Sequence, residues 1–348
     1  MGKLLYLKTT CFVIVLAGIV VVSNAIAGPA TQMTSLEKKL YEAARKEGKL
    51  IYWDSLSLKE ASQFIKAFNS RFPGIEVSYW EGNATQVDQK YFAEHEAGRH
   101  PVDLTQIEMY GTYKKGGHLS DIGDIVKDTN FPREFATTDF DAVAVEHTIR
   151  GVAYNTKLVA PKDVPRSWDD LLNPKWKGKI AIETNMSVFI TYTKTWGEEN
   201  VLTYLKKLGQ QNPVFNEGVT HTMTLLSAGE FPIGINMLLS RTLYMQAQGQ
   251  PVAWGPISPI VDKFTPYIIV RDAPHPNAAK LYMRWLMSAE GQSLVDKIRQ
   301  KGNPMPGAGT TPSKALEQLG VKILVVPLWE TDFDGLQERY RKALGFMK

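Results

Sequence analysis

Residues 49–80 constrain the fold more than any other stretch, because they read as strand, helix and strand within about thirty residues. Lys49-Leu50-Ile51-Tyr52-Trp53 is a short apolar run. Glu60–Phe68 carries apolar residues at helical spacing and closes before Pro73-Gly74, and Ile75-Glu76-Val77-Ser78-Tyr79-Trp80 alternates. Such a unit calls for a parallel sheet with a right-handed crossover. Ligands on parallel sheets gather beyond the carboxyl ends of the strands, so Asp54-Ser55-Leu56-Ser57 falls where a site belongs. Ser55 and Ser57 are therefore candidate ligand residues, with capping of the following helix as the competing role.

The same rhythm extends along the chain. Ser35 opens a helix that Gly48 stops, a helix is expected around 89–98 and a strand at 102–107, and Tyr110 follows that strand. Strand-like runs at 142–145 and 151–155, interrupted by the polar stretch 146–150, suggest a segment crossing between lobes. A second block from Trp168 to about Val252 holds strands at 180–182 and 231–235. Strand character resumes at 264–270, and a helix is expected over 278–288. The fold class expected is α/β, in two lobes.

Residues 1–27 have the layout of a secretory signal peptide: Lys3 and Lys8 without an acid, an apolar run from Cys11 to Val22, and Ala25-Ile26-Ala27 before Gly28. The run is short of the roughly 20 apolar residues that span a bilayer. Cys11 is the sole cysteine, so cleavage would exclude a disulfide framework, a thiolate nucleophile and a Cys-ligated metal. Losing Lys3 and Lys8 lowers the formal charge of +4 by two. A near-neutral chain without a basic block argues against nucleic acid as a partner. No GxSxG, HExxH or P-loop appears, so no catalytic residue, metal or cofactor is assigned. His95-Glu96-Ala97-Gly98-Arg99-His100 superficially resembles a zinc motif, but histidines five apart diverge on a helix that turns about 100° per residue. A Ser/His/Asp group assembled by folding stays open as an enzymatic alternative.

Val152-Ala153-Tyr154-Asn155-Thr156-Lys157-Leu158-Val159 leads through Pro161 and Pro165 to Ser167-Trp168-Asp169-Asp170-Leu171-Leu172. Asn173-Pro174-Lys175-Trp176-Lys177-Gly178-Lys179-Ile180 completes the block. This stretch resembles the signature of bacterial extracellular solute-binding proteins of the type 2 periplasmic class, in particular the branch containing the ferric-iron-binding proteins. Residues 47–49, 97–104, 229–232 and 274–279 add similar pieces. The resemblance implies a two-lobed type 2 periplasmic-binding-protein fold with crossing hinge strands and a central cleft. Lobe 1 would begin with 28–147, lobe 2 would be 148–255, and 256–348 would return to both. It further implies a periplasmic monomer that holds a small-molecule solute and delivers it to an ABC-type inner-membrane permease, or, less directly, serves as a sensor. Trp168, Leu171, Leu172 and Trp176 are expected in the core, on a helix that Pro174 ends.

Ferric-binding relatives place adjacent tyrosines soon after the strand matching Gly234-Ile235-Asn236. Here the segment reads Asn236-Met237-Leu238-Leu239-Ser240-Arg241, and leucine offers no oxygen to a hard cation. The solute expected is a small organic anion, with ferric iron as the alternative. Arg241 could present its planar fork to a carboxylate or phosphonate, and Asn236 both donates and accepts. His147, Thr148 and Arg150 match the hinge region. Asn185 and Ser187 precede a helical run whose free N–H groups attract anions. Tyr110 is the expected aromatic wall.

Overall fold

The computed structural model describes residues 32–129, 131–325 and 333–346; the expected signal peptide lies outside the described residues. In chain order the strands are β1 Lys49–Asp54, β2 Glu76–Glu81, β3 Leu104–Gln106, β4 His147–Asn155, β5 Ile180–Glu183, β6 Val214–Asn216, β7 Ile233–Leu238, β8 Val252–Trp254, β9 Ile260–Phe264, β10 Tyr267–Ile269 and β11 Ile323–Val325.

The 49–80 unit forms as the sequence predicts. β1 and β2 run parallel, with Lys49 opposite Glu76 and Asp54 opposite Glu81. The crossover helix Leu58–Arg71 buries Ala61, Phe64 and Phe68, spaced three and four apart on one face. Phe68 packs edge-on against Tyr282 at 4.8 Å and Trp285 at 5.6 Å, both from the helix Pro276–Met287. The first sheet has the order β10-β3-β1-β2, with β10 antiparallel to β3. The second has the order β11-β9-β4-β7-β5-β6, and β8 also pairs with β4. Each sheet carries its own core. Trp53, Val87, Tyr113 and Ile268 meet in the first, and Trp168, Phe189, Leu205 and Ile233 in the second.

Three sequence expectations change in detail. The interrupted runs at 142–155 become a single nine-residue strand, β4, preceded by isolated bridges from Val143 to Ala136 and to Tyr267. The polar residues do not break it because β9 pairs with His147–Arg150 and β7 with Arg150–Tyr154. The expected strand at 264–270 is divided between the sheets, as β9 in the second and β10 in the first. Around the central motif, two 3₁₀ turns, Asp169–Leu172 and Pro174–Trp176, replace the expected α-helix. Pro174 cannot donate the N–H that would continue the first turn. Trp168, Leu171 and Trp176 are buried as expected.

Among the described residues, three segments therefore connect the lobes. Residues 143–147 run from the first sheet into β4, beside residues 264–267 returning from β9 to β10. The third follows the helix Ala289–Arg299 and reaches the helix Thr311–Leu319, whose Leu316 packs with Ile149 and Trp254 of the second sheet. Among the described residues no helix is long and apolar enough to cross a membrane.

Candidate functional site

The carboxyl ends of β5 and β7 lie side by side because these strands are parallel. Opposite β7, the pairing of β4 slips between Gly151 and Val152, leaving Asn236 as the extra residue of a bulge with φ of 67°. Asparagine enters this left-handed region more easily than other side-chain-bearing residues, and a bulge re-aims the side chain it carries. Asn236 Nδ2 donates to Glu183 Oε2 at 2.6 Å and to the Asn185 carbonyl. Arg150 Nη1 donates to the same Glu183 oxygen at 3.3 Å and to the Asn236 carbonyl at 3.2 Å. Asn185 Oδ1 accepts from the N–H of Ser187, the first residue of the helix Ser187–Trp196. Arg341, on the helix Phe333–Leu344, donates from Nε to the Thr184 carbonyl at 2.9 Å.

This group is buried and incompletely satisfied. Ser187 Oγ, Asn236 Oδ1 and Arg150 Nε are shielded from solvent and have no hydrogen-bond partner among the described residues. Burial lowers the Arg150 guanidinium from its usual range, opposed by Glu183. Burial likewise raises the Glu183 carboxyl, opposed first by Arg150. The pair is thus close to electrically neutral, and Arg341 supplies the further positive charge beside the 184–187 loop.

The remaining candidates lie elsewhere. Ser57 caps the helix Leu58–Arg71 in a reciprocal capping box with Glu60, and Ser55 sits at the end of β1 with its N–H on Asp54 Oδ1 at 2.5 Å. Tyr110 is buried in the first core, its hydroxyl donating to Asp141 at 2.7 Å. His147 is buried in the hinge with Nδ1 against Asp262 and its ring 4.2 Å from Phe135. Thr148 is half-buried on β4, opposite Lys263. Arg241 lines a separate cavity of about 380 Å³ with Thr224, Ser227, Tyr244 and Gln250, its guanidinium 5.3 Å from the Tyr244 ring centre.

Sequence reasoning missed Glu183 and Arg341, and at the lobe 1 end it missed the role of Asp54. Asp54 ends β1 and is wholly buried. Tyr52 and Tyr267 both direct hydroxyls at its Oδ2, the latter at 2.9 Å. The Tyr267 hydroxyl also meets Glu146, whose Oε1 accepts from Arg299 Nη1 at 2.7 Å and whose Oε2 lies 3.5 Å from Lys301 Nζ. Burial, then the Glu146 charge, push the Asp54 carboxyl up to about 6. No local pattern announces this group, since its members are drawn from residues 52–301.

His95 faces His118 at 3.1 Å, and the helix carrying His95 ends at Glu96, before His100. No group of three His, Cys, Asp or Glu stands ready to hold a metal among the described residues. Leu239 is buried, and Leu238 is half-buried at the end of β7.

A family model described as "Bacterial extracellular solute-binding protein" matches residues 54–293, more than half of the chain. The chain belongs to this family. This solute-binding protein is 23% identical over 248 residues to the Synechocystis "Iron uptake protein A1", covering 64% of this chain and 66% of that one. It is 26% identical over 194 residues to a "Putative 2-aminoethylphosphonate-binding periplasmic protein" of Salmonella typhimurium, covering 52% and 56%. It therefore spans just under two thirds of the first of these relatives and little over half of the second. The solved structure of the Trichodesmium protein IdiA (FutA), in complex with iron and citrate, superposes with a TM-score of 0.72 at 16% identity, over 85% of this chain and 99% of that one. That likeness establishes a type 2 periplasmic-binding-protein fold. The family is described as one of solute-binding proteins, and a solved structure from Agrobacterium tumefaciens that superposes with a TM-score of 0.67 at 16% identity, over 85% of this chain and 94% of that one, is titled the substrate binding protein of the ABC transporter.

Proposed function

We propose that this protein is the periplasmic receptor of an ABC importer and captures a small organic anion between its lobes for an inner-membrane permease. The observation that carries the reading is the buried group at the carboxyl ends of β5 and β7, beside Arg150 of β4. Ser187 Oγ, Asn236 Oδ1 and Arg150 Nε are left without partners there, and buried polar atoms in folded proteins are otherwise satisfied. A solute reaching the first turn of the helix Ser187–Trp196 would meet those atoms, the N–H groups of the helix and the Arg341 charge together. Ser55 would contact it from lobe 1. The lobes are proposed as 28–147 and 148–255, with 256–348 shared, and export through the leader at 1–27 belongs to the same reading.

Closure of the lobes would be favoured by contacts made from both sides, with no chemistry required. Ferric iron is the second reading because similar proteins carry that name. Leu238 and Leu239, which offer no oxygen where those relatives place adjacent tyrosines, weigh against it. A thermal-shift screen of ligand-stripped protein against ferric iron with carbonate, citrate, small carboxylates and phosphonates tests both. A ligand at a hundred times its Kd adds about 2.7 kcal/mol, a shift of a few degrees. Stabilisation by an organic anion, lost in Arg150→Ala and Arg341→Ala, supports the proposal; stabilisation by ferric iron alone overturns it.

A further inference from the structure

The three connections found between the lobes among the described residues meet at one carboxylate. Glu146 lies on the first, Tyr267 on the second, and Arg299 with Lys301 on the third, and each reaches Glu146 through its side chain. The backbone repeats the tie, since the His147 N–H donates to the Lys301 carbonyl at 3.0 Å. Gln292 adds another contact, donating to the Val145 carbonyl at 2.8 Å. Beyond Glu146 the chain of contacts continues through Tyr267 to Asp54, at the carboxyl end of β1 beside Ser55.

Proton counting constrains this chain. The Tyr267 hydroxyl has one proton and stands within hydrogen-bonding reach of two carboxylates. Glu146, paired with Arg299 and Lys301, is the one favoured as the anion. The contact between Tyr267 and Asp54 is then a hydrogen bond only if Asp54 carries a proton and donates it to the phenolic oxygen. With both acids ionised, one buried carboxylate faces an oxygen lone pair without a hydrogen between them.

We propose that the hinge of this protein is proton-linked: the arrangement seen here holds a proton on Asp54, and losing it sets Asp54 in competition with Glu146 for the single Tyr267 proton, which loosens the junction of the crossing strands at Glu146. The groups that face Asp54 are Tyr52 on its own strand, Tyr79 on β2, Tyr282 on the helix Pro276–Met287, and Glu146, Tyr267, Arg299 and Lys301 from the three connections. Burial and the neighbouring Glu146 charge both favour the neutral acid, in keeping with the proton count. Arg299, which also approaches Glu60 at 3.7 Å, opposes them. The inference builds on the two-lobed receptor reading but not on the identity of the solute.

The test needs no solute. In a Cys11→Ser background, Lys66→Cys on the helix Leu58–Arg71 and Lys206→Cys on the helix Glu198–Gly209 are both exposed and take one label each, one per lobe. Inter-label distances are then followed from about pH 5 to about pH 8. The expected result is a change in the distance distribution with a one-proton midpoint. Asp54→Asn, whose amide nitrogen donates permanently to Tyr267 while its oxygen keeps the Ser55 N–H, should hold the low-pH distribution throughout. Tyr267→Phe, which keeps both acids and removes the link, should show no pH response and serves if Asp54→Asn folds poorly. An unchanged wild-type distribution overturns the proposal. So does an unaltered midpoint in Asp54→Asn.

Discussion

Asn236 reaches Glu183 at 2.6 Å from a left-handed backbone that only the bulge opposite Gly151 and Val152 imposes. Side chain and backbone thus contribute separately, and two substitutions divide them. Asn236→Gly loses the hydrogen bonds but tolerates the backbone, at a cost of about 1–3 kcal/mol for the partners left unsatisfied. Asn236→Ala loses the same bonds and adds a left-handed penalty of about 1–2 kcal/mol. Urea denaturation should rank wild type above Gly above Ala; equal stability of Gly and Ala would show that the bulge relaxes.

Arg150 and Glu183 are both mostly buried, with side chains 16% and 8% exposed, so removing either strands the other. Arg150→Met alone should cost about 3 kcal/mol, the lower end for breaking a buried pair, because Asn236 and backbone N–H groups still serve Glu183. Glu183→Gln alone leaves Arg150 without its counter-charge. The double variant should be clearly more stable than the sum of the single effects predicts. Additive losses in chemical denaturation would mean that the two charges are solvated.

Much of the fold was legible because it rests on local pattern. The apolar run at 49–53, the spacing of Ala61, Phe64 and Phe68 and the alternation at 75–80 report burial on one face, which periodicity records. Ser55, Asn185 and Ser187 stand out because they follow a strand or precede a helix, and Arg150 and Asn236 because their segments match the hinge and post-strand stretches of the family that the chain resembles. What escaped the sequence is long-range. Arg341 reaches Thr184 from 157 residues away and Tyr267 reaches Asp54 from 213, and no spacing rule encodes such meetings. The competing local role prevailed at Ser57, where the capping box uses the hydroxyl, while Tyr110 joined the core and bonded Asp141. Arg241 was placed by its nearness to Asn236 along the chain, yet it turns toward Tyr244 and another cavity.

The helix Ala289–Arg299 carries Arg299 to the hinge, and its start depends on Gly291. A Cβ there would lie 2.2 Å from the Trp285 carbonyl oxygen and 2.6 Å from Leu286 Cα. Both obstacles are backbone, so no side-chain rotation relieves them. Gly291→Ala should therefore destabilise by about 2–4 kcal/mol, beyond the usual range for surface substitutions, although alanine is the better helix former. A melting temperature equal to or above that of the wild type would show that the turn at Ser288 adjusts freely.

Asp54 and Glu146 should give the protein opposing pH dependences. Asp54 holds its proton up to about 6 instead of 3.8, through burial first and the Glu146 charge second. The folded state therefore binds that proton more tightly than the unfolded chain. The resulting stabilisation is complete below about pH 4 and is lost as pH rises through about 6. Burial would raise the Glu146 carboxyl, but Arg299 and then Lys301 overrule it and hold it well below its ordinary range. Its contribution is present above about pH 4.5 and is lost as pH falls towards about 2. Thermal melts of wild type and Asp54→Asn should thus diverge between about pH 5 and about pH 7.5, with the variant gaining relative stability as pH rises. Glu146→Gln should lose most near neutral pH and least in acid. Parallel melting curves for wild type and Asp54→Asn across that window would mean that Asp54 ionises normally in the folded protein.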